Sequence, residues 1–382
     1  MEYRILGNTG LSVSVIALGC EGFVGKTEEQ VHSEMDFAIS KGINFIDMYA
    51  SNPDLRSNIG KALAGHRQQF IIQGHLCTTW ENDQYLRTRD VEKTIASFED
   101  QLTRLHTDYL DIGMIHYVDS EEDFHEVFNG PIIRLALRLK EEGKIRHIGL
   151  SSHNPIVAKL AVESGLIEVL MFSINPCYDL QPPSENVDDL WADESYAHSL
   201  ENIDPEREKL YELCEQKGIG LDVMKVYGGG DLLSETNSPF GKAMTPVQCI
   251  EYALTRPAVA SVMVGCKSCD EMQAAINWCN ATKEEKDYTS VMAGMEKFSW
   301  QGHCMYCGHC APCSVGIDIA SVNKYYNLTI AQNEIPETVR EHYKTLSHHA
   351  SECIQCGQCE TNCPFGVAII EQMEKATEKF GY

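Results

Sequence analysis

Short apolar runs alternate with longer amphipathic stretches over roughly the first 280 residues of this 382-residue chain. Each apolar run is nearly continuous, which is typical of a parallel strand that is buried on both faces of a sheet. We predict eight such strands, at Val15–Leu18, Asn44–Asp47, Phe70–Gln73, Tyr109–Ile115, Ile145–Leu150, Val169–Ile174, Leu221–Val226 and Ala260–Val264.

The stretches between these strands have the spacing of amphipathic helices. In residues 27–41, Val31, Met35 and Ala38 fall on one face, and Thr27 is a candidate N-cap. Eight strand–helix units over about 280 residues match the count and size of a TIM barrel, an α/β fold. A doubly wound sheet is the alternative, but residues 19–23 do not form the glycine-rich phosphate loop that it requires. The other predicted helices are Thr88–Leu105, Asp123–Glu142, Pro155–Ser164, Pro205–Lys217, Pro246–Thr255 and Asp270–Asn280.

A long segment without basic residues follows the sixth predicted strand. Residues 161–206 contain no Lys or Arg, and their acidic second half, 179–206, carries Trp191. Loops of this length are usually lids or binding loops, or else disordered. In a barrel this segment would lie over the mouth, where Trp191 is a candidate substrate contact.

The C-terminal part of the chain is set apart by its cysteines. Eight of the 16 cysteines lie in two runs, and the second run, followed by Pro364, has the bacterial ferredoxin spacing C-x2-C-x2-C-x3-C-P. The fourth ligand of each cluster in two-cluster ferredoxins comes from the other run. We therefore assign one [4Fe-4S] cluster to Cys304, Cys307, Cys310 and Cys363, and another to Cys353, Cys356, Cys359 and Cys313. Zinc is the main alternative occupant.

Charge and composition narrow the range of partners. The net charge of −25 opposes binding to nucleic acid or to anionic lipid. No apolar run approaches the roughly 20 residues that span a bilayer, and the first residues lack the features of a secretion signal. We therefore expect a cytoplasmic protein with a barrel domain at residues 1–295 and a ferredoxin-like domain at residues 296–382.

Five segments, taken in order, resemble the aldo-keto reductase family. They are YRILGNTGLSVSV (3–15), GINFID (42–47), IGKAL (59–63), LTRLHTDYLDIGMIH (102–116) and GKIRHIGLS (143–151). The cysteine-rich tail, with residues 223–225 and 228–230, resembles the subgroup that fuses the barrel to an iron–sulfur domain. The resemblance implies reversible hydride transfer between NADPH and a carbonyl, using an Asp, a Tyr, a Lys and a His at the ends of barrel strands.

Two of these four catalytic positions depart from the family pattern. The aspartate falls on Asp47 and the histidine on His116, but the lysine position holds His75 and the tyrosine position holds Asn52. Asparagine cannot replace a phenol as proton donor. Tyr49 either enters the pocket through a shifted backbone or has its hydroxyl in water. His75 either replaces lysine as a cation or is itself the general acid.

The same mouth residues admit a second interpretation. Asp47, His75 and His116, with His153 as a fourth candidate, are side chains that bind metals. Alternatively, they are polar residues bonded to one another and to water.

The resemblance also implies a set of residues that contact a bound dinucleotide: Ser151 and Asn175 at the nicotinamide, and Gly265, Lys267 and Ser268 at the phosphates. Two positions downstream of them differ from the family. Glu271 and Ala275 stand where the family has Gln and Asn, and Glu271 would repel a 2′-phosphate. NADP(H) and NAD(H) therefore both stay open. Lys225 is a candidate for binding an anionic substrate or a phosphate, with a solvated lysine as the alternative.

Together these features predict an iron–sulfur oxidoreductase from a largely anaerobic setting. It would act on a small carbonyl or hydroxyl compound, with electrons passed through two [4Fe-4S] clusters from a carrier of ferredoxin or flavodoxin type. One alternative is a nicotinamide-independent lyase or isomerase that uses Asp47, His75 and His116. The other is a non-catalytic electron-transfer partner.

Overall fold

The computed structural model describes most of the chain. The described residues are 1–185, 203–236, 238, 240, 242–288, 291, 304, 310–330, 335, 340, 343–363 and 366–382. Trp191 and the acidic segment around it lie outside the described residues. So does the predicted domain boundary at residues 295 and 296, which stays a prediction.

Eight parallel strands close into a barrel, as the sequence predicts. Neighbours along the chain pair with one another, and the last strand pairs with the first, so the doubly wound alternative is wrong. All eight predicted strands are confirmed to within a few residues. They are β3 (Ile16–Gly19), β4 (Phe45–Met48), β5 (Ile71–Leu76), β8 (Leu110–Ile115), β9 (Ile145–Ser152), β10 (Val169–Ser173), β11 (Gly220–Met224) and β12 (Val259–Val264).

A short antiparallel hairpin covers the end of the barrel where the strands begin. It consists of β1 (Tyr3–Ile5) and β2 (Ser12–Ser14). Leu6 in its turn is fully buried, and the Asn8 amide donates to the Gly218 carbonyl just before β11. Because this end is closed, the open mouth lies at the carboxyl ends of the strands, where sites in this fold are built.

Helices surround the barrel as α1 (Glu28–Ser40), α2 (Pro53–Ala62), α3 (Val91–Arg104), α4 (Glu121–Asn129), α5 (Pro131–Glu141), α6 (Pro155–Glu163), α7 (Pro205–Lys217), α8 (Pro246–Leu254), α9 (Cys269–Ile276) and α10 (Lys283–Lys286). Thr27 caps α1 as predicted. The single helix predicted over 123–142 is wrong, because the chain breaks at Gly130. Pro131 cannot donate an amide hydrogen, and a Cβ at Gly130 would lie 2.0 Å from the Glu126 carbonyl oxygen.

Two further regions complete the described chain. A second hairpin, β6 (Thr78–Glu81) and β7 (Gln84–Arg87), leaves the carboxyl end of β5. The cysteine-rich part contains α11 (Ile319–Ile330), α12 (Gln358–Asn362) and α13 (Ile369–Phe380). None of the helices in the described part is long and apolar enough to cross a membrane.

Candidate active site

Three consecutive barrel strands bring Asp47, His75 and His116 together at the mouth. Asp47 and His75 lie near the carboxyl ends of β4 and β5, and His116 directly follows β8. All three are buried. Parallel neighbours present equivalent residues at one edge, so the spacing of the strands alone makes these side chains converge. We call this group the acid–base side of the mouth.

These side chains form a continuous hydrogen-bonded chain. His75 Nε2 lies 2.9 Å from Asp47 Oδ1, and His75 Nδ1 lies 2.7 Å from His116 Nδ1. A carboxylate only accepts, so His75 Nε2 carries a hydrogen. With neutral histidines, His75 Nδ1 then accepts from His116 Nδ1, and this leaves His116 Nε2 as an acceptor. For two neutral histidines, this geometry is satisfied by one pair of tautomers.

A phenol that sequence analysis did not identify ends this chain. The Tyr85 hydroxyl, on β7, is within hydrogen-bonding distance of His116 Nε2. Since that nitrogen is an acceptor in the neutral chain, Tyr85 donates. Burial raises the pKa of Tyr85 well above its usual value, which favours the protonated phenol.

Tyr49, the tyrosine considered from the sequence, is close but differently placed. Its ring is parallel to the His116 ring, with centroids 5.8 Å apart, and its edge faces Tyr85 at 5.9 Å. Burial, followed by the nearby Glu21, raises the pKa of Tyr49. Tyr49 is thus partly buried in the mouth rather than solvated, and it packs on the chain.

Asn52 and His153 are not part of this hydrogen-bonded chain. Asn52 caps α2, its Oδ1 accepting from the Leu55 amide at 2.8 Å. His153 pairs with Asp119 at 2.8 Å. Among the described residues, no three His, Cys, Asp or Glu side chains are arranged to hold a single metal ion. Asp47, His75 and His116 instead bond to one another, which was the alternative to a metal site.

Two buried polar residues inside the barrel, Gln73 and Asp222, interact with Asp47. Gln73, two residues before His75 on β5, donates from Nε2 to Asp47 Oδ1 at 3.0 Å. Asp222 on β11 is fully buried, and burial followed by the charge of Asp47 raises its pKa well above the usual value. Asp47 Oδ1 accepts hydrogen bonds from both Gln73 Nε2 and His75 Nε2, so the position of its carboxylate is fixed by two side chains.

The residues implied for a nicotinamide lie at the ends of β9 to β12, which we call the dinucleotide side. The Ser151 hydroxyl is buried without a hydrogen-bond partner in the described part of the chain. Asn175 is bonded to the main chain through both of its amide atoms: its Nδ2 donates to the Lys225 carbonyl at 2.9 Å, and its Oδ1 accepts from the Cys177 and Tyr178 amides. Lys225 has a φ of 62°, unusual for a residue with a Cβ. Of these residues in the described chain, Ser151 has a buried hydroxyl with no bonded partner that could bind a carboxamide.

The predicted phosphate site after β12 is partly occupied by an acidic side chain. Glu271 accepts from the Lys267 amide at 2.7 Å, and Ser268 caps α9 by accepting from the Glu271 amide. There is open space around Gly265. Because the Lys267 amide already binds a carboxylate, a phosphate there would have to displace like charge. Glu271 therefore competes with a dinucleotide phosphate for this amide.

Four cysteines line one cavity in the C-terminal part. Cys313, Cys353, Cys356 and Cys359, the set assigned to one cluster, line the same pocket. The Gln355 amide donates to Cys353 Sγ at 3.4 Å. The remaining walls include apolar side chains from Val315, Ile317, Ile319, Ile354, Ile370 and Met373.

The electrostatics differ between the cysteines of this cavity. The Gln358 amide and the Ser314 hydroxyl lower the pKa of Cys356, whereas burial raises that of Cys359 to about 11. Bound iron favours the deprotonated thiol at such a site. The donor set and the apolar walls therefore fit a [4Fe-4S] cluster.

The other assigned cluster is described only in part. Cys310 is buried, and Cys304 and Cys363 are half-buried. Cys307 lies outside the described residues. This second ligand set stays a prediction.

Several functional candidates were missed by sequence reasoning, although the chain carries signals for them. Gln73 is two residues before His75, so strand alternation places both inside the barrel. Tyr85 lies beside the dipeptide Asn82-Asp83, a two-residue turn signal between β-prone stretches. Its contact with His116 has no local signal, because it depends on how the hairpin folds over the mouth.

Comparison with known proteins agrees with this architecture. Residues 15–248 match the sequence model of the aldo/keto reductase family, and residues 300–367 match that of a 4Fe-4S dicluster domain. An uncharacterized oxidoreductase of Bacillus subtilis, YqkF, is 28% identical over 321 residues, which cover 79% of this chain and 99% of the relative. The B. subtilis aldo-keto reductase YhdN is 30% identical over 40% of this chain and 47% of its own.

A solved structure shows the same fold. The holo form of an aldo-keto reductase from Bacillus halodurans superposes with a TM-score of 0.60 at 24% identity, covering 79% of this chain and 99% of that one. The chain belongs to the aldo/keto reductase family and carries a 4Fe-4S dicluster domain after its barrel.

Proposed function

We propose that this oxidoreductase interconverts a carbonyl and a hydroxyl on a small compound at the barrel mouth, with electrons passed through two [4Fe-4S] clusters. The observation that carries the proposal is the junction of an acid–base chain with the cluster domain. His116 is bonded to Tyr85, and the adjacent Gln84 is bonded to the main chain of the cluster ligand Cys313. Proton-handling groups and the electron-transfer domain thus meet at one hairpin.

The acid–base side transfers the proton that ends on the substrate oxygen. Reduction of a carbonyl takes two electrons and two protons, one proton ending on oxygen and one, from solvent, on carbon. The hydrogen-bonded chain from Asp47 through His75 to His116 moves a proton to or from the substrate oxygen. Gln73 holds the carboxylate in place by its hydrogen bond to Oδ1.

The electrons are supplied in single steps. When bound, clusters of this type exchange one electron at a time with an outside carrier, for which we propose a protein of ferredoxin or flavodoxin type. In the proposed ligand set, Cys353, Cys356, Cys359 and Cys313 hold one cluster, and Cys304, Cys307, Cys310 and Cys363 hold the other.

The proposed electron path uses the clusters and does not require a nicotinamide. Asn175 donates to the Lys225 carbonyl, and the Lys267 amide donates to the Glu271 carboxylate. NADH stays open as an electron source, since it lacks the 2′-phosphate that Glu271 would repel.

The experiment is an anaerobic turnover assay of cluster-replete protein with a reduced low-potential one-electron dye and a panel of small aldehydes and ketones. We expect consumption of dye electrons with formation of the alcohol, and loss of this activity in Cys356→Ser. Cys279→Ser, outside both ligand sets, is the matched control and should keep the activity. Absence of alcohol formation from every carbonyl compound, with intact clusters, would contradict the proposal.

One observation favours a second candidate. The acid–base chain is complete within the protein and requires no nicotinamide, as a lyase or isomerase of hydroxyl compounds would need. Conversion of a hydroxyl compound by the oxidised protein, with no change in cluster absorbance, would favour this candidate.

A further inference from the structure

The β6–β7 hairpin presents two different faces. Its turn is the dipeptide Asn82-Asp83, with φ values of 52° and 58°, which matches the twist of a two-residue hairpin. Gln84 and Tyr85 are the next two residues on β7. Because consecutive strand residues point to opposite faces, these two side chains are directed to opposite sides of the hairpin.

One face is bonded to the cluster domain. Gln84 Nε2 donates to the Cys313 carbonyl at 3.0 Å, and the Cys313 amide donates to Gln84 Oε1 at 2.5 Å. The side chain of Gln84 is buried, with 8% of the residue exposed. This two-point contact uses both amide atoms and fixes the loop that carries a proposed cluster ligand.

The other face is bonded to the barrel mouth. Tyr85 contacts His116, and the base of the hairpin is held by arginines. Arg89 donates to the His116 carbonyl at 2.9 Å and to the Tyr117 carbonyl at 2.8 Å, and it pairs with Asp123. Arg87 lies over the Tyr117 ring, 4.5 Å from its centroid. The position of the phenol is therefore set from both ends of the hairpin.

We propose that Tyr85 is the proton-donating residue of the mouth, and that Gln84 is a positioning residue which ties it to the cluster-ligand loop. This inference rests on the proposed interconversion of carbonyl and hydroxyl. Tyr85, on β7, would supply the phenol that is absent at the Asn52 position. The site is then complete only when the cluster domain is docked on the hairpin.

The proton balance follows from the hydrogen-bonded chain. One added proton makes His75 a double donor, so that His75 Nδ1 donates to His116 Nδ1 and His116 Nε2 donates to the Tyr85 oxygen. The phenol hydrogen is then free for the substrate. As the Tyr85 O–H bond breaks and the substrate O–H bond forms, the Tyr85 oxygen takes the proton from His116 Nε2. The His75 Nδ1 proton then moves to His116 Nδ1. The chain ends neutral, and oxidation of a hydroxyl reverses each transfer.

Two tyrosine variants test the donor. Tyr85→Phe should lower kcat for carbonyl reduction by about 100-fold or more with KM nearly unchanged. Tyr49→Phe removes the other phenol beside His116 and should lower kcat much less than Tyr85→Phe does. A Tyr85→Phe enzyme with normal kcat, or a collapse confined to Tyr49→Phe, would overturn the assignment.

A readout without substrate separates this inference from the proposed function. In ¹⁵N NMR of the oxidised, cluster-replete protein, His116 should be protonated at Nδ1 and should accept at Nε2. Tyr85→Phe should move the Nε2 signal, and Tyr49→Phe should not. If the parent reduces no carbonyl, the proposed function fails, while an unmoved Nε2 signal in Tyr85→Phe overturns the present inference whatever the turnover assay gives.

Gln84 is tested by a graded pair. Gln84→Glu keeps the acceptor for the Cys313 amide and loses the donor to its carbonyl, so kcat should fall without a change in KM, and the His116 Nε2 signal should shift toward its position in Tyr85→Phe. Asn82→Gly, at the hairpin tip, should change neither. A Gln84→Glu protein with parental kcat and an unmoved His116 signal would exclude the positioning role.

Discussion

The acid–base side and the dinucleotide side of the mouth lie on one barrel, yet their polar groups are used differently. On the acid–base side, Asp47, His75 and His116 are joined through their reactive atoms, and the chain ends at a hydroxyl in the mouth. On the dinucleotide side, Asn175 is bonded to main-chain groups, and Glu271 covers the Lys267 amide. The two sides therefore differ in their bonding: side chains bond to one another on the acid–base side and to main-chain groups on the dinucleotide side.

The largest expected effect comes from breaking the acid–base chain at its centre. His75→Ala separates Asp47 from His116, so turnover in the dye-linked assay should fall by about 10²–10⁴-fold, the range that general acid–base groups contribute. His32→Ala, an exposed histidine on α1, should leave the rate unchanged. A His75→Ala enzyme that folds and turns over like the parent would remove this side from the chemistry.

A smaller effect should appear at Asp119 and His153, beside the mouth but outside the chain. Burial tends to raise the pKa of Asp119, but the charge of His153 and hydrogen bonds from His153 and Ser152 lower it to about 2. An unfolded aspartate has a pKa of about 3.9, so ionised Asp119 stabilises the fold by about 3 kcal/mol.

This contribution is present above about pH 4 and is lost as the pH falls toward 2, because the folded-state pKa is depressed. Asp119→Asn should therefore lower the free energy of unfolding at pH 7 by about that amount, and the difference from the parent should narrow in acid. Denaturant unfolding at several pH values measures it. A difference that does not depend on pH would mean that the charge of Asp119 does not contribute.

The smallest of these effects tests the dinucleotide side. Glu271→Gln removes a negative charge from the Lys267 amide, so the affinity for NADPH should rise about tenfold, as expected for a like-charge contact of about 1.4 kcal/mol. Affinity for NADH should change less. Glu284→Gln on α10 is the control, and titration calorimetry gives both constants. Equal gains for NADH and NADPH would argue against Glu271 as the group that faces the 2′-phosphate.

The barrel could be predicted from sequence because its strands are continuous apolar runs of limited length. The convergence of Asp47, His75 and His116 could be predicted too, since parallel strands end at one edge. The break at Gly130-Pro131 was missed because the apolar periodicity continues across it. Helix α2 was missed although Asn52-Pro53 is a start signal, because Asn52 was considered only as a catalytic position.

Tyr85 could not be predicted, for a physical reason. Its contact with His116 joins residues 31 positions apart through a hairpin that lies over the mouth. The Gln84 contact joins residues 229 positions apart. Neither pairing has a period or motif, since both depend on tertiary packing between separately folded elements.

The most direct test of the account is an electron count in a single turnover. Protein reduced anaerobically, with the reductant removed, is mixed with a carbonyl compound, and cluster reoxidation is compared with alcohol formed. We predict two electrons lost from the clusters for each hydroxyl formed, with both processes slowed equally in His116→Ala. Alcohol formation without cluster reoxidation, or reoxidation without alcohol, would contradict it.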